Sequence, residues 1–480
     1  MTQRKPLADI AAGRLSAEQL AANFADVAPP LDRQAALLAA QRCYYCYDAP
    51  CITACPTGID IPTFIKAAST DNLRGAAEEI LTANIFGGTC ARVCPTEILC
   101  EGACVRNIDS GAPVAIGALQ RYSTDWVFTD DARLFERAPD SGWRVAVVGA
   151  GPAGLACAHH LARAGHRVTV FEANAKAGGL NEYGIAAYKV VGEAGVGVGA
   201  AGEVVATNGF AQREVDWLLS IGGIEIRAGV ALGRDTTLAQ LRRDHDAVFL
   251  AMGLAGVNAL GVEGEGMAGV HDAVAFIAEL RQSPDLRALP VGRRVVVIGG
   301  GNTAIDAAIQ SRKLGAEQVT MVYRRGAESM GATHLEQAFA KEEGVTIVHW
   351  AAPKRLVVEN GTLAGLECEY TQLDANGKLA GSGDRFTIAA DVVLKAIGQV
   401  FVPDALGGGE MLQLANGRIA VNDHHQTSLP DVWAGGDCVG GRVDLTVQAV
   451  EDGKRAAWAI DAALARRPRT AATRSDPATA

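Results

Sequence analysis

Apolar residues recur every third or fourth position through "SAEQLAANFADVA" and "NLRGAAEEILTAN", and no run within residues 1–130 alternates as a half-buried strand would. The pattern predicts a small all-α domain over 1–130, with short cysteine-bearing turns between its helices. After the polar stretch "TDDARLFERAPDSGW" the pattern changes. "RVAVVGAGPAGLACAHHLARAGHRVTVFE" reads as an apolar strand, a glycine turn, a helix and a second strand. The same succession returns at "RVVVIGGGNTAIDAAIQSRKLGAEQVTMVYRR". The fold expected is therefore α/β: the N-terminal all-α domain, then two Rossmann-like dinucleotide-binding domains, the second (266–394) inserted between the two segments of the first (144–265 and 395–465). "GEAGVGVGAAGEVVATN", residues 192–208, has no period and is expected to be a mobile surface loop, and residues 466–480 a disordered tail.

The glycine turns carry the first chemistry. Gly149, Gly151 and Gly154 fall where a strand ends and a helix begins. In that context the first glycine permits the tight turn, the second lets backbone approach a pyrophosphate, and the third lets helix pack on strand. Glu172 ends the next strand, where a carboxylate accepts hydrogen bonds from a ribose diol and repels a 2′-phosphate. Asp437, in "AGGDCVGG", is placed to meet a flavin ribityl chain, so FAD is the first nucleotide expected. In the second unit the fingerprint is Gly299, Gly301 and Ala304, and the following strand runs into Arg324 and Arg325 where an acid would stand. Two permanently charged planar forks suit a 2′-phosphate and favour NADP(H) over NAD(H); the bland alternative is a solvated face.

Eight of the eleven cysteines lie between 43 and 104. Cys43-x2-Cys46-x4-Cys51-x3-Cys55-Pro56 approximates the bacterial ferredoxin run, in which the cysteine before proline serves a second cluster. Cys90, Cys94, Cys100 and Cys104 supply enough further sulfur for two [4Fe-4S] centres. Zinc is the competing reading, although the cysteine-proline punctuation is unusual for paired zinc knuckles. Cys157 and Cys368 read as buried apolar residues, and Cys438 lacks a partner at x2 spacing for a redox dithiol.

Composition narrows the classes that remain. The chain has 480 residues, a formal charge of -10 and no basic block, which argues against nucleic acid or an anionic membrane as partner. "MTQRKPLADI" has no secretory h-region and no apolar run reaches membrane-spanning length, so the cytoplasm is the expected location.

Clusters, FAD and a nicotinamide site in this order resemble the electron-input half of the dihydropyrimidine dehydrogenase family and, more loosely, glutamate synthase small subunits. "DAPCITACPTGIDIPTFI", "CARVCPTEILCEGAC", "GALQRYSTDW" and "TVQAVEDGKRAAW" carry the resemblance, which covers about residues 35 to 463. It implies a crossed ligation: Cys43, Cys46, Cys51 and Cys104 on one cluster, Cys55, Cys94, Cys100 and Gln120 on the other, Cys90 spare. It implies FAD contacts at Gly149, Ala150, Gly151, Pro152, Ala153 and Gly154, from Glu172 through Gly179 to Leu180, at Lys189 and Leu232, and from Gly436 and Asp437 to Thr446. It implies NAD(P)H contacts at Gly301, Asn302, Thr303, Ala304, Arg324, Arg325, Ala396, Ile397 and Gly398. The chain departs from the family at Ala186, where a proline is usual, at Gly331, where a basic residue is usual, and in the inserted 192–208. The family's pyrimidine site lies on an FMN-binding barrel, which does not follow within this chain, so the expectation is a hetero-oligomer with a barrel subunit. The chain would take hydride from NAD(P)H onto FAD and pass electrons through two clusters, with no protein acid or base required. A glutamate synthase small subunit or another NADPH-linked flavin reductase, or a redox scaffold or sensor without turnover, remains as the alternative.

Overall fold

The computed structural model describes residues 10–192, 195–199, 202–205, 209–407, 412–441 and 443–468. The helical region carries its start signals in the sequence. Ser16 and Gln19 form a reciprocal capping box on Ala17–Asn23, and Asp32, Asp60 and Asn72 cap the helices Arg33–Ala40, Ile61–Ala68 and Leu73–Ala83. Phe64, Ile65, Ile80 and Leu119 form the core of this region, and Cys43, Cys51, Cys55, Cys100 and Cys104 pack on it.

Two five-stranded parallel sheets follow. In the first the strands run in the order Val432–Ala434, Ala247–Leu250, Arg144–Val148, Arg167–Glu172, Ile224–Ala228. In the second the order is Val345–Val348, Gln318–Val322, Arg294–Ile298, Val392–Lys395, Val270–Asp272. The central strands are buried, valine-rich runs, as parallel strands covered on both faces must be. The chain passes between the sheets through Gly256–Val257 and Gln399–Val400, which pair antiparallel. An antiparallel sheet of Ala351–Glu359, Thr362–Leu373 and Leu379–Ala389 is appended to the second unit; its middle strand buries Cys368.

Two expectations need correction. Residues 1–130 are not uniformly part of one helical body: Ile10–Ala11 pairs antiparallel with Val291–Gly292, and Leu20 and Phe24 are buried in the core of the second dinucleotide unit. The apolar face of the first helix found its partner in a distant unit, which periodicity cannot reveal. The segment 192–208 is also anchored at Val204. The Val204 amide donates to Asp285 at 3.1 Å, its carbonyl accepts from Leu286 at 2.7 Å, and its side chain is buried. Residues 193, 194, 200, 201 and 206–208 lie outside the described residues, as do residues 469–480 of the expected tail.

Candidate functional site

The eight predicted metal ligands separate into two sets of four. Cys43 and Cys46, from the loop after the helix Arg33–Ala40, Cys51 in the short helix Pro50–Ala54, and Cys104 line one cavity. Cys55 follows that short helix with its backbone already extended, at φ -80° and ψ 118°. It lines a second cavity with Cys94, Cys100 and Gln120. Gln120 Nε2 donates to the Gly87 carbonyl at 2.7 Å, so its amide oxygen is the atom left to act as a ligand. Cys90 is buried and lines the second cavity too, so proximity alone does not make it spare.

Among the described residues no three His, Cys, Asp or Glu side chains converge as a single ion would require. The thiols stand around two cavities. Burial raises the Cys43 thiol and pushes Cys51 up to about 11 and Cys100 up to about 12. A hydrogen bond with Cys90, reinforced by burial, holds Cys94 well above the ordinary thiol value. The same burial raises Cys157, Cys368 and Cys438, so the fit to cluster iron rests on the thiolate donor set itself, three cysteines and an amide oxygen or four cysteines around each cavity.

At the first glycine turn a Cβ on Gly154 would lie 1.9 Å from the Gly149 carbonyl oxygen, so the helix Pro152–Arg163 reaches its strand only because Gly154 has no side chain. Gly179, at φ 54°, closes over this turn: a Cβ there would stand 2.7 Å from the Gly151 Cα. Leu180 begins the next helix, partly exposed. Glu172 is buried, and its carboxylate accepts from the Ala150 amide at 2.8 Å and from the Asn174 amide at 2.8 Å. Oε1 also accepts from the Asn174 side-chain amide at 2.9 Å, so Oε2 is the oxygen that keeps a lone pair for a ribose hydroxyl. Gly436 packs against Ala153, and its amide donates to Asp452 at 3.1 Å. Burial, with Asp444 adding to it, pushes Asp437 up to about 6. Leu232 is buried in the adjoining core. The cradle of glycines, helix-end amides and two carboxylates fits a flavin dinucleotide. The Lys189 ammonium ion-pairs with Asp306 at 2.8 Å and Glu336 at 2.7 Å, linking the two dinucleotide units.

The second turn repeats the plan. Its helix, Asn302–Lys313, starts directly after Gly301, and Thr303 and the buried Ala304 lie in its first turn. Ala396 follows the neighbouring strand, its carbonyl against Gly299; Ile397 comes next, and the Gly398 carbonyl accepts from the Asn258 amide at 3.2 Å. Arg324 and Arg325 are exposed, and among the described residues neither forms an ion pair, so both guanidinium groups can turn to a phosphate. A Cβ on Gly331 would stand 3.8 Å from the Gly301 Cα, so the missing basic residue would have sat over the pyrophosphate turn.

One helix joins the regions. Thr446 opens Thr446–Ala465 and bonds Asn181 through its hydroxyl at 3.2 Å; its neighbour Val447 lines the second thiol cavity. Farther along, the buried Lys454 donates to the carbonyls of Thr57 at 3.0 Å and Ala83 at 2.9 Å and pairs with Glu451 at 2.7 Å. Thr57 in turn lies 3.3 Å from the Cys55 sulfur. The helix bearing part of the predicted flavin set is therefore bonded to the cysteine domain.

Residues 143–453 match the family described as pyridine nucleotide-disulphide oxidoreductase. The chain belongs to that family. Residues 20–132 match the family described as dihydropyrimidine dehydrogenase domain II, 4Fe-4S cluster. Similar relatives include the glutamate synthase [NADPH] small chain of Escherichia coli K12, 35% identical over 462 residues, covering 91% of this chain and 93% of that one. The NAD-dependent dihydropyrimidine dehydrogenase subunit PreT of the same organism is 33% identical over 442 residues, covering 91% and 97%. In fold the chain is similar to Mycobacterium tuberculosis FprA, at a TM-score of 0.54 and 18% identity over 68% of this chain and 85% of that one. This pyridine nucleotide-disulphide oxidoreductase moves electrons between NAD(P)H and FAD and carries a helical 4Fe-4S domain. Among the described residues no helix is long and apolar enough to cross a membrane.

Sequence reasoning missed several residues of the site. Tyr323 follows the strand Gln318–Val322 in the register where Glu172 ends its own, and its ring lies against Gly300. Val447 and Lys454 sit in "TVQAVEDGKRAAW", which carried the resemblance, yet helical period alone does not say that this face meets the cysteine domain. In this oxidoreductase Cys438 is buried, with its sulfur near the Leu250 and Gly435 carbonyls.

Proposed function

We propose that this chain is the electron-input subunit of a pyrimidine-reducing assembly in the cytoplasm. Hydride from NADPH reaches FAD, and electrons leave through two [4Fe-4S] clusters to a partner whose FMN-binding barrel holds the pyrimidine. The observation that carries this reading is the sorting of the eight candidate ligands between two cavities, the second of which reaches Val447 beside Thr446 of the flavin set. When bound, FAD supplies the exchange between two-electron hydride chemistry and single-electron transfer.

The chain's own residues bind and orient. Gly301 to Ala304 and the helix-end amides receive the nicotinamide nucleotide's pyrophosphate, Arg324 and Arg325 its 2′-phosphate, and Ala396 to Gly398 the neighbouring edge. Gly149 to Gly154, Glu172 and Asp437 hold the flavin nucleotide. Cys43, Cys46, Cys51 and Cys104 take one cluster, and Cys55, Cys94, Cys100 and Gln120 the other. The exposed Tyr44 lines the first cavity, and this is the face from which electrons would pass to the partner. A glutamate synthase small chain would share this path and differ in its partner. Identities of 35% and 33% do not choose between them, while the quoted cysteine-domain motifs favour the pyrimidine assembly.

Anaerobically purified protein is expected to hold about eight iron and eight acid-labile sulfides. It should oxidise NADPH with dyes, and it should reduce uracil or thymine only when a barrel subunit is added. Zinc in place of iron would end the cluster reading. A native partner that forms glutamate would transfer the chain to the second reading, and flavin that NADPH does not bleach would favour a scaffold.

A further inference from the structure

The helix Leu73–Ala83 ends at Asn84, which is fully buried and lines the second cavity with Cys55, Cys94, Cys100 and Gln120. Its side-chain orientation is fixed by the chain itself. Oδ1 accepts the Phe86 backbone N–H at 3.1 Å, a role only the oxygen can play, so Nδ2 occupies the other branch. The Asn84 carbonyl accepts from Gly87 at 2.9 Å, and the Gly87 carbonyl holds Gln120 at 2.7 Å, so one turn positions both amides. Asn84 Nδ2 is buried and has no hydrogen-bond partner. A buried amide donor left unpaired costs about 1 to 3 kcal/mol, so such groups in folded proteins have a reason to be there.

We propose that Asn84 Nδ2 donates a hydrogen bond to a sulfur of the cluster in the second cavity and thereby sets that cluster's reduction potential. The inference rests on the reading that Cys55, Cys94, Cys100 and Gln120 hold a [4Fe-4S] centre. Reduction adds negative charge to the cluster, and an N–H aimed at its sulfur stabilises the reduced form more than the oxidised form, which raises the potential. Asn84 is a tuning and positioning residue, not a ligand.

The test is an EPR-monitored redox titration of the holoprotein, with iron content measured alongside, for wild type, Asn84→Ala and Asn84→Ser. A serine hydroxyl can still accept from Phe86 N–H but is too short to offer the donor, so it keeps the turn and withdraws the proposed bond. Both variants are expected to lower the potential of one cluster by a tenfold change in its oxidised-to-reduced ratio, about 59 mV for a one-electron couple. The other cluster should stay unmoved and iron content should remain at the wild-type level. Full iron with both clusters' oxidised-to-reduced ratios within twofold of wild type in Asn84→Ser would overturn the proposal while sparing the cluster reading. Wild type that lacks a second cluster signal would overturn the cluster reading, and this inference with it.

Discussion

In the first dinucleotide turn a Cβ on Gly149 would stand 2.3 Å from the Ala251 carbonyl oxygen, and in the second a Cβ on Gly299 would stand 2.2 Å from that of Ala396. Each first glycine is thus pressed against the residue that follows the adjacent parallel strand. The agreement extends to the backbone: the Gly149 amide donates to Phe171 at 2.8 Å, and the Gly299 amide donates to Val322 at 3.0 Å. Beyond that point the two units diverge. Where the first places the buried Glu172, bonded to the Ala150 amide, the second places Tyr323, with its ring on Gly300 and its hydroxyl donating to the Ser329 carbonyl at 2.5 Å. Two exposed arginines come next. On the proposed function a common turn would receive a pyrophosphate in both, and the end of the second strand would decide which ribose is accepted.

The third glycine offers the sharpest break between the units. Gly154→Ala would drive a methyl group to 1.9 Å from the Gly149 carbonyl, whereas the second unit already carries Ala304 there, buried without such a conflict. We expect Gly154→Ala to lose FAD and on the order of 4 kcal/mol of stability. Gly301→Ala meets no protein atom within 4 Å, so it should fold as wild type and lose only nucleotide affinity. Thermal melts with flavin quantitation read both; a Gly154→Ala chain as stable as Gly301→Ala would show that the helix is not held to its strand at Gly154.

The arginines sharpen the comparison on the second side. Arg324→Ala with Arg325→Ala should cost about 3 kcal/mol toward NADPH, roughly a hundredfold in kcat/KM, because each charge-assisted contact is worth about 1.5 to 3 kcal/mol. Turnover with NADH should change by no more than about twofold, there being no 2′-phosphate to lose. If wild type already prefers NADH, the pair is a solvated face.

How much of this was legible in the residues depended on the range of the signal. Local signals held: capping side chains, glycine turns at strand ends and cysteine spacing all describe what lies a few residues away. Gly149, Gly151 and Gly154 therefore fall on the turn they were expected to make. The partition of the cysteines between two cavities came from the resemblance, because spacing alone does not tell Cys51 from Cys55 as members of different sets. What stayed hidden was long-range. Phe24 lies in the core of a unit more than two hundred residues away, Lys454 bonds the carbonyls of Thr57 and Ala83, and Val204 anchors a segment that composition described as loop. Each is a local pattern whose partner is set by topology.

Asp437 gives the smallest effect and one specific to the first unit. Burial first, then Asp444 and Asp452 against the opposing Arg418, raise its carboxyl from 3.8 to about 6. The folded chain therefore favours the protonated form. The stability this group supports is whole below about pH 3.8 and is lost as the pH rises through about 6. In flavin-free protein, Asp437→Asn should leave stability unchanged at pH 3.5 and raise it by about 2 kcal/mol at pH 8, the carboxylate being partly screened. FAD should reverse the sign. Ribityl hydroxyls donating to the carboxylate would stabilise its charged form, so the same change should weaken flavin binding at pH 8. Chemical denaturation at the two pH values, with and without FAD, reads both effects, and a stability gain that persists at pH 3.5 would mean the carboxyl is not the titrating group.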